Sequence, residues 1–275
     1  MSVVELTDGL LPGADRDLVR PLQRQLTEQF EAVYLNTNVA ALAGKRRSIE
    51  VTFRGDVEKK VQRFDRVLTA VGRRPKSDRL GLENTRVEVT DAGFIVADNR
   101  GRTAEPSILA IGDVAGEPML AHKASHQGKA AVEALAGGAT VFEPRAIPAV
   151  VFTDPEIAWA GLTETEAKQQ DRQVEVARFP WAASGRAHAV GRTEGMTKWL
   201  IDPTSERLLG CGIVGAGAGE LIAEAVLAIE MGAEIRDLCD TIHPHPTMSE
   251  TLGFAAEVHL GTATDLYRPK RNKPS

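Results

Sequence analysis

The stretch TAEPSILAIGDV, residues 103–114, contains an apolar run that predicts a β-strand ending in Gly112 and Asp113. The segment that follows it, HKASHQGKAAVEALAG, predicts a helix that Gly137 and Gly138 end. In α/β proteins ligands bind at the carboxyl ends of strands, and a carboxylate placed there can accept hydrogen bonds from a polyol. The stretch therefore predicts an α/β fold with Asp113 at its binding edge. The alternative is that Asp113 only caps the next turn.

Upstream of this stretch, short apolar runs predict further strands in the segments SVVEL, AVYLNTNVAAL, SIEVTF and FDRVLTAVG, and a hairpin-like pair in RVEVTDAGFIVAD. Residues 10–30 predict an amphipathic helix with Asp15 as its N-cap and Leu18, Leu22 and Leu26 on one face. A sheet whose first strand begins at residue 2 indicates that earlier elements are missing. We therefore expect the chain to be part of a longer protein.

From about Pro144 onward, the pattern changes to strands and helices at longer spacing. Strands are predicted in AVVFT, VEVARFPW, MTKWLID and RLLGCGIVG, the last three suited to an antiparallel sheet. Thr163 and Glu166 form the S/T-x-x-E pattern of a capping box at the start of a helix. Two further helices are predicted, one in GELIAEAVLAIEMG that Gly232 ends and one from about Met248 to Leu260.

Composition and charge exclude several classes of protein. The 275 residues are 43% hydrophobic and 26% charged with a net charge of −5, which argues against a nucleic-acid partner, and the only basic run is the short tail RPKRNK. No apolar stretch is long enough to span a bilayer, and the first residues lack the features of a signal peptide. Cys211 and Cys239 have no CxxC spacing, so we expect two reduced thiols, no metal site and a cytoplasmic protein.

The stretch DTIHPHPTMSETLG, residues 240–253, carries the candidate chemistry. Two prolines hold His243 and His245 in extended backbone. His245 is a candidate general base, and Glu250 is the carboxylate that would orient and charge its ring. The structural alternative is that Thr247 and Glu250 form a capping box for the last helix. The pattern alone leaves both interpretations open.

That stretch, together with FPWAASGRA at 179–187 and IVGAGAGELIAEAVLAIEMG at 213–232, closely resembles the C-terminal portion of bacterial dihydrolipoamide dehydrogenases, in the flavin disulfide oxidoreductase family. The resemblance covers essentially the whole chain. It implies partial Rossmann-like NAD- and FAD-domain pieces, residues 1–73 and 74–144, followed by an α+β dimerisation domain with an antiparallel sheet, residues 145–275.

The resemblance also implies an activity, the FAD-dependent oxidation of dihydrolipoamide with NAD⁺ as acceptor. His245 would be the base that deprotonates the thiol, and Glu250 its partner. The implied partners are a second copy of the chain and the dihydrolipoamide carried by the acyltransferase component of 2-oxo acid dehydrogenase complexes. A plain core interpretation of the apolar helix 219–232 competes with a role in the dimer interface.

Cofactor residues are likewise implied by the resemblance. For FAD, Asp113 would hold a ribityl hydroxyl, and the segment under the flavin comprises Met119, Leu120, Ala121 and His122. For NAD, the implied residues are Glu5, Val39, Gly72 and Arg73. The alternatives are that His122 caps a helix and that Glu5 is an ordinary carboxylate.

The sequence departs from that family in three ways, because it contains neither the GxGxxG that holds the FAD pyrophosphate, nor the CxxxxC redox disulfide, nor the glycine loop of the NAD domain. We therefore expect the chain alone to be inactive and colourless. Two alternatives remain: a non-catalytic dimerising fragment, or another flavin disulfide reductase resembling glutathione reductase. The doubled His-Pro and the FPWAASGRA run argue against the latter.

Overall fold

The computed structural model describes residues 1–266, so the basic tail RPKRNK lies outside the described residues. The chain divides into two compact units. The first comprises residues 1–67 together with the chain from Arg145 onward, and the second comprises Leu68–Pro144. In the described part of the chain, no helix combines the length and the apolar character needed to cross a membrane.

The N-terminal part of the first unit contains one helix and five strands. Strand β1 (Ser2–Val4) pairs in parallel with β2 (Ala32–Tyr34), and helix α1 (Arg16–Gln29) connects them. Strands β3 (Thr37–Gly44), β4 (Ile49–Gly55) and β5 (Val61–Phe64) then form an antiparallel sheet. These elements confirm the predicted strands except FDRVLTAVG, of which only the first residue, Phe64, belongs to a strand.

The C-terminal part of the first unit contains a five-stranded antiparallel sheet, which confirms the predicted α+β architecture. Its order is β6-β7-β10-β9-β8, and its strands are β6 (Ala149–Val151), β7 (Ile157–Gly161), β8 (Glu175–Pro180), β9 (Met196–Ile201) and β10 (Leu208–Val214). The helices are α3 (Glu164–Gln169), α4 (Gly185–Ala189), α5 (Ala218–Met231), α6 (Ile235–Asp240) and α7 (Glu250–Leu260). The predicted capping box of Thr163 and Glu166 begins α3, and Gly232, in the left-handed region, ends α5.

The core of this sheet positions α7. Trp181 and Trp199 are fully buried, and their ring nitrogens donate hydrogen bonds to Thr197 Oγ1 and to the carbonyl of Leu252, at 3.0 and 3.1 Å. The Thr197 hydroxyl in turn bonds Thr251 Oγ1 of α7 at 2.8 Å. Buried polar groups that are all hydrogen-bonded specify one arrangement, so the first turn of α7 is fixed against the sheet.

Helix α1 packs on the same sheet. Leu18, Val19 and Leu22 are buried, and they share a cluster with Ile157 and Val214. Asp15 stands at the N-cap position as predicted, but its carboxylate makes no capping hydrogen bond to α1. That part of the prediction is wrong.

In the second unit, α2 (Ala121–Leu135) is the predicted helix, but the predicted strands are largely wrong. Residues 107–114 make one isolated bridge, between Arg102 and Leu109, followed by a short 3₁₀ turn, and the hairpin-like pair is reduced to a bridge between Val89 and Ile95. A strand needs a neighbour for its backbone N–H and C=O groups. Within the described residues 65–77 no such pairing forms, and Leu68 and Val71 remain about nine-tenths exposed, at 91% and 93%.

Candidate active site

His245 and Glu250 form a hydrogen-bonded pair. His245 Nδ1 lies 2.9 Å from Glu250 Oε1. The imidazole is 79% exposed, whereas the carboxylate, on the first residue of α7, is only 11% exposed. The pair therefore places an accessible ring on a buried anionic support.

Glu250 also holds the backbone of the segment that carries the histidine. Its second oxygen, Oε2, accepts a hydrogen bond from the Thr247 N–H at 2.7 Å. The Thr247 hydroxyl bonds the Pro244 carbonyl and Ser249 Oγ instead of completing a capping box. Because the N-cap residue of α7 is Ser249 and no side chain caps the helix there, the predicted Thr247–Glu250 capping box does not form.

The geometry determines what this pair can do chemically. When Nδ1–H donates a hydrogen bond to Glu250, the neutral imidazole carries its lone pair on Nε2. A base must reach the proton that it abstracts, and a carboxylate behind the ring stabilises the imidazolium that results. This arrangement would allow Nε2 of His245 to accept a proton from an external group.

His243 lies beside this pair and has a carboxylate of its own. Its Nε2 lies 2.7 Å from Glu224 Oε1 of α5, and its side chain is 9% exposed. The hydrogen bond from Glu224 raises the pKa of His243, outweighing burial, which lowers it. Sequence reasoning missed Glu224, although a carboxylate in the middle of so apolar a helix was a usable signal.

The FAD candidates all lie in the second unit. Asp113 Oδ2 is 3.3 Å from Arg73 Nη1, and the N–H of Gly112 donates to Gln127 Oε1 at 2.7 Å. A Cβ on Gly112 would stand 2.9 Å from Ala124 Cβ, so only glycine allows α2 to approach this closely. Asp113 thus contacts a side chain 40 residues away in the sequence, whereas the turn-capping alternative would have it bond the turn that follows it.

The first turn of α2 presents the other FAD candidates. Met119 and Leu120 are half-buried, whereas Ala121 and His122 are exposed. The N-cap residue, Leu120, makes no side-chain hydrogen bond to this helix, and the N-terminal turn of a helix favours acceptors and anions. The N–H donors of such a turn fit a pyrimidine carbonyl, and the Asp113 carboxylate fits a polyol. The residues present therefore fit the ribityl and pyrimidine parts of a flavin.

The NAD candidates are divided between the two units. In the first, Glu5 Oε1 accepts hydrogen bonds from both the N–H and the hydroxyl of Thr7 at 2.8 Å, and Val39 lies partly exposed on β3. In the second, Gly72 has a φ of +106°, and Arg73 contacts Asp113. The structure brings Arg73 to a residue that the sequence assigned to the other cofactor.

A buried ionic cluster was not predicted at all. Lys198 Nζ of β9 lies 2.8, 2.6 and 2.7 Å from carboxylate oxygens of Asp15, Asp17 and Glu164. Arg178 forms ion pairs with Asp17 and Glu164. The three carboxylates are close enough to hold a metal ion, but the Lys198 ammonium bonds all three. The cluster is therefore a structural ion-pair network.

Comparison with known proteins agrees with this fold. The chain belongs to the pyridine nucleotide-disulphide oxidoreductase family: residues 1–128 match the model of that family and residues 147–256 match its dimerisation domain. Two curated relatives carry the more particular name dihydrolipoyl dehydrogenase. The Haemophilus influenzae protein is 46% identical over 270 residues, which cover 98% of this chain and 56% of the relative. The Vibrio cholerae protein is 45% identical over 274 residues, 99% of this chain and 58% of the relative.

The chain thus spans little more than half the length of the curated relatives it matches. Among solved structures, the HOCl-induced flavoprotein disulfide reductase RclA from Escherichia coli superimposes with a TM-score of 0.82 at 27% identity, over 91% of this chain and 57% of that one. LpdA from Mycobacterium tuberculosis superimposes with a TM-score of 0.86 over 93% of this chain and 55% of that one. At 24% identity the latter comparison shows the fold alone.

Proposed function

We propose that this chain supplies the acid–base residue and the dimer interface of an enzyme that oxidises dihydrolipoamide with NAD⁺ through FAD. The observation that carries the proposal is the His245–Glu250 pair, because an exposed imidazole with a carboxylate behind it suits proton removal from a thiol. Relatives at 45–46% identity that bear the name dihydrolipoyl dehydrogenase support this substrate.

In the proposed mechanism His245 Nε2 takes the proton of a dihydrolipoamide thiol, which leaves a thiolate as the nucleophile. Glu250 keeps the proton on Nδ1 and stabilises the imidazolium until the proton passes to solvent. Bound FAD would supply the electron acceptor between the thiol and NAD⁺. Asp113 would hold its ribityl chain, and the first turn of α2, with Met119 to His122 nearby, would face its pyrimidine edge. Glu5, Val39, Gly72 and Arg73 remain our proposed NAD contacts.

The cysteines of this chain do not fit the redox disulfide in this mechanism. Cys211 is buried in β10, and burial raises the pKa of its thiol far above the range of reactive thiols. Cys239 is a separate free thiol on α6. In our proposal the redox disulfide that receives electrons from dihydrolipoamide therefore comes from cysteines other than these two, and the free thiols accord with the cytosol as the compartment.

The dimer would form through an apolar surface next to the histidines, which we call the α5 surface. Leu227, Met231 and Ile242 line one cavity of about 420 Å³ and are 63%, 76% and 95% exposed. The dimerisation-domain match supports a homodimer. A second copy on this surface would lie beside the segment that carries His245. The His245 of each chain could then act in an active site that the other chain completes.

A hybrid polypeptide tests the proposed activity. In it, this chain replaces the matching 270 residues of the Haemophilus influenzae relative. Reduction of NAD⁺ by dihydrolipoamide, and not by reduced glutathione, is the expected result. A folded, flavin-containing hybrid that turns over neither thiol would favour the non-catalytic alternative, and one that prefers glutathione would favour the glutathione-reductase-like alternative.

A further inference from the structure

His243 is held from two sides. On one side its Nε2 is 2.7 Å from Glu224 Oε1 of α5. On the other, the ring lies over Gly253 of α7, where a Cβ would stand 3.1 Å from Nδ1 and 3.3 Å from Cε1 of the imidazole. The His243 ring therefore lies between two helices, and any side chain at position 253 of α7 would crowd it.

The charges around this ring favour its protonated form. Glu224 faces it from α5, Glu250 contributes from α7, and Asp237 of α6 lines the same cavity. The carboxylates outweigh burial, so the pKa of His243 lies above its ordinary value. An imidazolium donating to Glu224 makes a charge-assisted hydrogen bond, which is stronger than a neutral one.

The backbone between the two histidines is short and stiff. Pro244 is the single residue between them, and its ring fixes φ. The Thr247 hydroxyl bonds the Pro244 carbonyl at 2.7 Å, and this closes the turn from the far side. A displacement of His243 would therefore be passed directly to His245.

We propose that His243 is a positioning residue: held between Glu224 and Gly253, it fixes the segment that presents His245 to its substrate, an inference that rests on the function proposed above. Glu250 fixes the same segment at its other end, through the His245 ring and the Thr247 N–H. The catalytic ring is thus set by two histidine–glutamate pairs, one to α5 and one to α7.

The tautomer of His245 tests this inference without any assay of turnover. In the ¹⁵N-histidine-labelled chain, nitrogen chemical shifts give the ratio of neutral His245 rings protonated on Nδ1 to those protonated on Nε2. Nδ1–H is required for the bond to Glu250, so the wild type should favour it. Glu224→Ala should lower this ratio about tenfold, which corresponds to loss of one well-aligned hydrogen bond. Glu220→Ala, an exposed site on the same helix, should leave it unchanged.

His243→Ala provides a second arm and should lower the ratio at least as much as Glu224→Ala. If the His243→Ala variant fails to fold, the Glu224→Ala variant, which retains the His243 ring, provides the deciding measurement. A ratio that stays at the wild-type value in folded Glu224→Ala would overturn the positioning role and leave the proposed function standing. Conversely, full activity of a hybrid in which His245 is replaced would overturn the proposed function. The tautomer ratio, which is measured separately in the chain that retains His245, would not be altered by that result.

Discussion

Asp15 and Lys198 form a buried ion pair at 2.8 Å although 183 residues separate them in the sequence. The same Asp15 carboxylate accepts hydrogen bonds from the N–H groups of Glu164 and Thr165, so it caps α3 rather than its own helix. One side chain thereby joins α1, α3 and β9. The N-terminal residues and the C-terminal sheet consequently form one unit with a shared ionic network.

Removal of the cation from this network should destabilise the fold strongly. Lys198→Met leaves three carboxylates facing one another in a buried site, and loss of one partner of a buried ion pair costs about 3–5 kcal/mol. Urea unfolding measures the change in the free energy of unfolding. Lys168→Met, on the exposed side of α3, is the matched control and should change it by less than about 0.5 kcal/mol. Equal effects of the two substitutions would contradict the role of the network.

The network also predicts how stability changes in acid. Burial raises the pKa of Asp15, but the hydrogen bond and charge of Lys198 more than offset this, so its pKa lies below the ordinary 3.8, and the same holds for Asp17. A carboxyl whose pKa is lowered by folding stabilises the fold above its unfolded pKa, and this stabilisation is lost as the pH falls through the folded pKa. The free energy of unfolding should therefore fall below about pH 4.

Asp15→Asn tests that sign. The substitution removes one of the groups that must be protonated, so the variant should be less stable than the wild type at neutral pH, with the difference narrowing in acid. Urea unfolding across a pH series would measure it. Wild-type and variant curves that run parallel from neutral pH down to acid would show that Asp15 contributes no acid sensitivity.

The α5 surface predicts a concentration-dependent dimer. Met231→Lys places a charge on an apolar surface and should weaken self-association roughly 10- to 100-fold, the range expected for a buried anchor residue. Val132→Lys on α2 is the control, since Val132 is 65% exposed and belongs to the other unit. Analytical ultracentrifugation gives the dissociation constants. Equal weakening by both substitutions, or a monomer at all concentrations in the wild type, would contradict the proposed interface.

The absorption spectrum of the purified chain tests a further expectation. The residues that fit the ribityl and pyrimidine parts of a flavin are present in the second unit, but the sequence contains no glycine loop for the pyrophosphate. Much of the affinity for a dinucleotide comes from such a loop at a helix N-terminus. The chain should therefore purify without the yellow colour of FAD. Near-stoichiometric bound flavin would show that other residues hold the phosphates.

Local patterns predicted the C-terminal sheet well. Apolar runs correctly predicted β8 to β10. The Thr163–Glu166 pattern predicted the start of α3, and Gly232 predicted the end of α5. Each depends on neighbours within a few residues. The strands predicted between Phe64 and Val114 failed for the opposite reason, because a strand exists only when another strand pairs with it.

Apart from the His245–Glu250 pair, the charged contacts could not be predicted from the sequence because their partners lie far apart in the chain. His245 and Glu250 are five residues apart, and their pairing was predicted as one of two alternatives. Glu224 lies 19 residues from His243, and no local pattern joins them. Lys198 in the apolar run MTKWLI was a usable signal, since a buried lysine requires an anionic partner. The identity of that partner still required the fold.

The most direct test of the central claim is the kinetics of His245→Gln in the hybrid polypeptide. If His245 is the base, kcat for dihydrolipoamide oxidation should fall about 10²- to 10⁴-fold, the usual contribution of a general base. His188→Gln, an exposed histidine whose ring bonds the Ala182 carbonyl, is the matched control and should retain full activity. Bound flavin should be the same in both variants. A folded His245→Gln hybrid with wild-type kcat would contradict the account.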